Sequence, residues 1–145
     1  MVAETTVETT VRQILESKAG NVHSIAPGAT VLDGLKVLAK ARIGVLPVVE
    51  KGKLVGIFSE RDYARKIILE GKHSEETRIR EIMTSNVSYV SPDHTIRECM
   101  VLINKNHFRH LPVVEGEAVV GLVSIGDIVQ AILVSPTNDP MDRPI

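Results

Sequence analysis

The chain is poor in the residues that support ring stacking, disulfides or metal clusters. It has no Trp, two Tyr and two Phe among 145 residues, so aliphatic side chains and backbone must hold most of any ligand. The single cysteine, Cys99, cannot form an internal disulfide. The chain also opens without a signal-peptide pattern. These features together predict a reducing, cytoplasmic location.

Neither charge nor hydropathy points to a nucleic acid or a membrane. The 17 basic and 18 acidic residues are interspersed and leave a net charge of −1, which lacks the basic footprint of sequence-independent nucleic-acid binding. No apolar run approaches the roughly 20 residues that a membrane-spanning helix needs. The length suits one compact domain with a real core.

The common catalytic motifs are also missing. The sequence contains no phosphate-binding loop of the Gly-x-x-x-x-Gly-Lys type, no Gly-x-Gly-x-x-Gly and no Gly-x-Ser-x-Gly. His107 and His110 have no second pair of metal ligands. Cys99 falls on the apolar face of a predicted helix, where a buried hydrophobe is favoured over a nucleophile. We therefore expect no catalytic residue, no metal and no enzyme activity.

The chain contains an internal repeat. Residues 22–67 and 87–132 align without a gap at an offset of 65, so that the Leu-Pro-Val-Val-Glu run at 46–50 falls on the same run at 111–115. Two copies are too few for a solenoid. The repeat therefore predicts two half-domains related by a pseudo-twofold axis.

Each copy has the pattern β-α-β-β-α. A short strand at 22–25 precedes a helix that opens with a Thr30-x-x-Asp33 capping box. Two β-rich runs, at 45–49 and 54–58, flank a hairpin turn, and a second helix starts near Glu60. Repeat two has the same order, which predicts the α/β (α+β) fold class. The inward residues of the two second helices are expected to be Tyr63, Ala64, Ile67 and Ile68, and Ile128, Val129, Ile132 and Leu133.

The predicted domain organisation follows from this order. An amphipathic N-terminal helix with Val7, Val11 and Ile14 on one face occupies 1–21, and repeat one follows at 22–70. A polar linker with a short helix from Ile79 occupies 71–83. Repeat two covers 84–134, and a proline-rich tail at 135–145 is expected to be disordered.

A Ser-x-x-Asp pattern recurs where the third strand of each copy meets a helix: Ser59 with Asp62, and Ser124 with Asp127. It has two interpretations. It can be a helix cap, which the spacing alone favours. It can also be a ligand site, because free N–H groups and a serine hydroxyl bind phosphate at a helix start, and a carboxylate accepts from both hydroxyls of a ribose.

The Leu-Pro-Val-Val run, the hairpin and the Val-Gly-x-x-Ser-x-x-Asp segment, present twice, resemble the CBS domain (the cystathionine β-synthase regulatory module) over about residues 7–134. The resemblance implies a stand-alone tandem pair that senses nucleotides and is a non-catalytic regulatory or signalling module. Such pairs bind AMP, ADP, ATP, S-adenosylmethionine or NAD in clefts between the repeats, and AMP is the ligand we expect. It also implies a homodimer and a regulated protein partner.

Carried over by position, the resemblance implies two sets of binding residues. The first set, in the order adenine edge, apolar walls, phosphate and ribose, is Asn21, Val22 and His23; Ile43, Pro47 and Ile57; Ser59 and Arg61; and Asp62. The second set, in the same order, is Thr84, Asn86, Val87 and Ser88; Phe108, Pro112 and Leu122; Ser124; and Asp127. Arg109 and His110 are assigned to phosphates of the first site across the pseudo-twofold, or else to an exposed loop and a strand.

The two sets are not equivalent, because Gly126 replaces Arg61 in repeat two. The first site is therefore expected to prefer phosphate-rich ligands. The alternative function is a structural interaction module that regulates a partner without binding a nucleotide. Apolar helix stripes that include Val31, Leu35 and Leu38 predict that the homodimer forms through helix faces.

Overall fold

The computed structural model describes residues 9–18 and 22–133. Its helices and strands are, in chain order, α1 (Val11–Ser17), α2 (Val31–Ala41), β1 (Val45–Glu50), β2 (Lys53–Ser59), α3 (Glu60–Tyr63), a π-helix (Ala64–Ile68), α4 (Ile79–Ile82), α5 (Ile96–Asn106), β3 (His110–Glu115), β4 (Ala118–Ser124) and α6 (Ile125–Leu133). The mixed helix and strand class with two repeats is confirmed. Asn21, Val7 and the 135–145 tail lie outside the described residues.

Each repeat contains a small antiparallel sheet. β1 pairs with β2, with Val45 opposite Ser59 and Pro47 opposite Ile57, and β3 pairs with β4. Lys51 and Gly52 turn the first hairpin with φ angles of 51° and 79°. Positive φ at both central residues matches the twist of the flanking strands. In the second hairpin Gly116 turns the chain with a φ of 64°, and both predicted hairpins are confirmed.

The predicted first strand of each copy is reduced to one bridge. Ile25 pairs in parallel with Val48; its N–H donates to the Pro47 carbonyl at 3.1 Å and its carbonyl accepts from the Val49 N–H at 2.9 Å. Val90 pairs with Val113 in the same way. A proline two residues further on lacks the N–H that would continue the ladder, which explains why the strand does not extend.

The chain divides into two compact units whose membership does not follow sequence order. Among the described residues, the repeat-one unit contains 22–87 with 116–119, and the repeat-two unit contains 9–18, 88–115 and 120–133. Helix α1, which precedes repeat one, therefore belongs with repeat two. Helix α4, which precedes repeat two, belongs with repeat one.

The repeat-one core corrects the predicted dimer stripe. Val31 and Leu38 are 0% and 3% exposed, because they pack inside their own unit and Leu35 packs against that core. Val31 and Leu38 are therefore not available to a second copy. The remaining buried members of this cluster are Leu46, Val48, Phe58, Ile67, Ile79 and Ile82.

The repeat-two core is built in the same way around α1, α5 and the β3–β4 sheet. Cys99 is fully buried, as the helical periodicity predicts. Burial, with a contribution from the charge of Glu98, raises the pKa of its thiol to about 11. The other buried members are Val11, Ile14, Val90, Ile96, Leu111, Val113, Val123 and Ile128.

The second helices differ from the prediction in which residues they bury. In repeat one the π-helix follows α3, and its wider turn changes the buried face: Ile67 is buried, but Ala64 and Ile68 are exposed. In repeat two α6 buries Ile128, while the other three residues predicted to face inward remain 37–62% exposed because only one side of the helix meets its own core. These three residues are Val129, Ile132 and Leu133.

Within residues 9–18 and 22–133, no helix has both the length and the apolar character required to cross a bilayer.

Candidate functional site

The two Ser-x-x-Asp segments form full capping boxes. The Ser59 N–H donates to Asp62 Oδ2 at 3.0 Å, and the Asp62 N–H donates to Ser59 Oγ at 3.1 Å. The matching distances in repeat two, between Ser124 and Asp127, are 2.8 and 3.0 Å. The capping interpretation is therefore correct for both segments. It does not exclude a ligand, since a carboxylate has further acceptor positions.

The repeat-one junction, around Ser59 and Asp62, is closed by donors from its own unit. Asp62 Oδ2 also accepts from Ser59 Oγ at 3.0 Å, and Oδ1 accepts from Thr84 Oγ1 at 3.3 Å and lies 3.2 Å from Lys66 Nζ. Lys66 Nζ is further held by the Ile82 carbonyl at 2.9 Å. Asp62 is only 8% exposed, and these donors already use most of the acceptor positions of its carboxylate.

Thr84 lies at this junction as well. It is predicted above to line the second cleft, but it pairs with Ile57 in the repeat-one unit, with both backbone hydrogen bonds at 2.9 Å. Since Pro47 lies opposite Ile57 on β1, the three residues form one row across the sheet. The reason is that residues 84–87, the start of the predicted repeat two, pack into the repeat-one unit.

The repeat-two junction, around Ser124 and Asp127, is more open and holds a lysine. Lys18 Nζ, at the end of α1, donates to Asp127 Oδ2 at 2.9 Å and to the Leu122 carbonyl at 2.8 Å. The Asp127 side chain is 22% exposed and that of Lys18 is 40% exposed. Burial opposes ionisation of Asp127, but hydrogen bonds from Lys18 and Ser124 and the charge of Lys18 outweigh it, so the pKa of Asp127 lies below its ordinary value.

Sequence reasoning missed both lysines. Lys18 precedes the repeated segment, and Lys66 aligns with Ala131, so the repeat gives no signal for either. Only packing brings them to the two carboxylates.

Arg109 and His110 lie at the start of β3. The Arg109 side chain is exposed. The backbone carbonyl of Arg109 accepts from the Ile125 N–H at 3.0 Å, just as the backbone carbonyl of Gly44 accepts from the Glu60 N–H in repeat one. Partial burial lowers the pKa of His110; the charge of Asp127 raises it, and the charges of Lys18 and Arg109 lower it further. Their predicted reach to phosphates of the first site stays a prediction.

The other predicted site residues differ in how far they are buried. Ile43 and Phe108 pack against the repeat-one and repeat-two cores, respectively, and Pro47 and Pro112 are buried within strands. The rest are exposed or half-buried and keep their assignments as predictions: Val22, His23, Arg61, Asn86, Val87 and Ser88. Within the described ranges, no three His, Cys, Asp or Glu side chains are grouped closely enough to hold a metal ion.

The family comparison agrees with these two repeats. The CBS domain model matches residues 11–69 and 79–134, and the chain belongs to the CBS-domain family. It is 35% identical over 134 residues to the mitochondrial CBS domain-containing protein CBSX3 of Arabidopsis thaliana. That alignment covers 86% of this chain and 65% of CBSX3, so the chain spans less than two thirds of that relative.

Solved structures share the fold. A protein with CBS domains from Burkholderia ambifaria MC40-6 has a TM-score of 0.81 and 41% identity, over 91% of this chain and 99% of that one. The CBS domain pair of MJ0100, solved with 5′-methylthioadenosine and S-adenosyl-L-methionine, has a TM-score of 0.71 and 33% identity, over 84% and 94% of the chains. CBSX2, solved with AMP, matches in fold with a TM-score of 0.72 at 24% identity, over 86% and 96%.

Proposed function

We propose that this chain is a regulatory module that binds an adenine nucleotide, with AMP as the first candidate, and changes the behaviour of a protein partner. The observation that carries the proposal is the recurrence of the same Ser-x-x-Asp junction at the end of β2 and β4, in a chain of a family whose member MJ0100 was solved with adenosine compounds. ADP, ATP and NAD are further candidate ligands.

The chemistry of the junctions suits a nucleotide. Each Asp combines a carboxylate, which accepts from ribose hydroxyls, with a lysine ammonium within 3.2 Å that can face a phosphate. Aliphatic residues of the adjacent strands, Ile57 and Leu122, supply apolar contacts for the base. Both junctions therefore offer groups of the kind that the predicted ligand needs, although Asp62 already meets four donor atoms of its own unit.

We also propose that the chain acts without catalysis. CBS pairs are generally regulatory and non-catalytic, and both repeats here are used to build the two units. The module would act through the partner that it contacts, in the cytoplasm as the sequence predicts.

A calorimetric titration tests the proposal directly. AMP, ATP, NAD and S-adenosylmethionine are added in turn to the full chain, and mass spectrometry of the denatured protein identifies any co-purified ligand. A ligand at 100 times its Kd stabilises the fold by about 2.7 kcal/mol, which a melting curve confirms independently. Absence of heat, thermal shift and co-purified nucleotide for all four ligands would leave the interaction module that binds no nucleotide as the better description.

A further inference from the structure

The two junctions differ in the acceptor capacity that they leave for a ligand. An ionised carboxylate offers about four lone-pair positions. Asp62 meets four donor atoms of its own unit: Ser59 N, Ser59 Oγ, Thr84 Oγ1 and Lys66 Nζ. At Asp127 the hydrogen bonds from Ser124 N and Lys18 Nζ both reach Oδ2 and neither reaches Oδ1, and the Ser124 side chain also stabilises the charged carboxylate.

Lys18 also changes the charge of the repeat-two junction. An ammonium has three N–H donors, and two of those of Lys18 are used by the Leu122 carbonyl and Asp127 Oδ2. One donor remains on a side chain that is 40% exposed. In repeat two Gly126 replaces the counterpart of Arg61. Lys18, from the end of α1, supplies a cation to this junction instead.

We propose that the repeat-two junction selects the nucleotide, with Asp127 Oδ1 accepting from the ribose hydroxyls and Lys18 binding the phosphate, while Asp62 is a structural carboxylate. This inference rests on the proposed function and reverses the site preference expected from Arg61. It also restricts the ligand class: a phosphorylated nucleoside binds more tightly than the nucleoside alone.

The test measures AMP and adenosine affinities by calorimetry on the full chain. Lys18→Gln should weaken AMP binding about ten- to hundredfold, the usual effect of losing one charge-assisted hydrogen bond, and change adenosine affinity less than about threefold. Lys18→Arg should restore the preference for AMP. Asp127→Asn should weaken both ligands, and by more than Asp62→Asn does.

Lys105→Gln, in the last turn of α5, is the matched control for loss of a lysine. It should leave both affinities unchanged. Melting temperatures of all variants show which are folded. If Lys18→Gln does not fold, the comparison of Lys18→Arg with the wild type still tests the role of Lys18.

Three results would overturn the inference. An AMP to adenosine preference that survives Lys18→Gln, or AMP affinity that rises in this variant, would show that Lys18 does not bind the phosphate. A larger loss in Asp62→Asn than in Asp127→Asn would return the site to repeat one and leave the proposed function intact. A wild-type chain that binds no adenine nucleotide would remove both proposals.

Discussion

Thr84 and Ile57 exchange both backbone hydrogen bonds, each at 2.9 Å, although they lie 27 positions apart in the sequence. This pairing adds one residue to the free edge of β2 and places the Thr84 hydroxyl 3.3 Å from Asp62 Oδ1. The segment that follows α4 is therefore part of the repeat-one junction. Several consequences of this packing can be measured.

Gly56 on β2 is packed closely against Met83 and Thr84, and this position requires a glycine more strictly than Gly121 on β4 does. A Cβ at Gly56 would lie 2.9 Å from the Thr84 carbonyl oxygen and 2.7 Å from Met83 Sδ, whereas one at Gly121 would lie 2.6 Å from the tip of Leu15. A side-chain tip can move and a paired backbone cannot. Gly56→Ala should therefore destabilise the fold by about 1–3 kcal/mol, and by more than Gly121→Ala, in urea unfolding. Equal costs would contradict the pairing of Thr84.

The two aspartates should differ in their contribution to stability. Asp62→Asn weakens a buried group with four donors and should cost about 1–3 kcal/mol. Asp127→Asn loses a partly exposed ion pair with Lys18 but keeps an oxygen to cap Ser124, so it should cost less than about 1 kcal/mol. Urea unfolding of the two ligand-free variants is the measurement, and a larger cost at Asp127 would show that Asp62 is not the structural carboxylate.

His110 should make stability fall as the pH is lowered. Its pKa in the fold lies below the ordinary value of 6.5, so the unfolded chain binds more protons between the two pKa values. The stabilisation is complete above pH 6.5 and is lost as the pH falls through the folded pKa. His110→Gln should reduce the difference in unfolding free energy between pH 7.5 and 5.5, and the same change at exposed His73 is the control. An unchanged difference would contradict the burial of the ring.

Cys99 should be inert while the chain is folded. Its side chain is fully buried and its thiol pKa is raised to about 11, and the thiolate is the reactive form. At pH 8 a thiol reagent should label the native protein at least about a hundredfold more slowly than the protein in urea. Rapid labelling in native buffer would show that α5 opens or packs differently.

We predict that the chain forms a homodimer through the α5–α6 face. Val101, Ile125 and Val129 are 60%, 40% and 47% exposed there, and they line a groove with apolar neighbours from both helices. Contiguous exposed apolar surface of this kind is typical of an interface. Light scattering should show a dimer for the wild type and a monomer for Val129→Glu, with Leu69→Glu as the control. A monomeric wild type at micromolar concentration would exclude the prediction.

Sequence alone determined the architecture of each repeat. Capping residues such as Thr30, the positive-φ turn at Gly52 and the apolar strands are local signals, and their physical causes act within a few residues. The repeat and its Ser-x-x-Asp segments also identify the family and the two candidate carboxylates, because these features are read directly from residue order.

Tertiary structure alone decided which segment completes which unit. The sequence contains no local sign that α1 packs with repeat two, or that Thr84 belongs beside Asp62, because these contacts join residues far apart in the chain. The same holds for Lys18 at Asp127 and Lys66 at Asp62. The sequence also could not show which apolar residues of α6 are buried and which are exposed. Periodicity shows that a helix face is apolar but not what covers it.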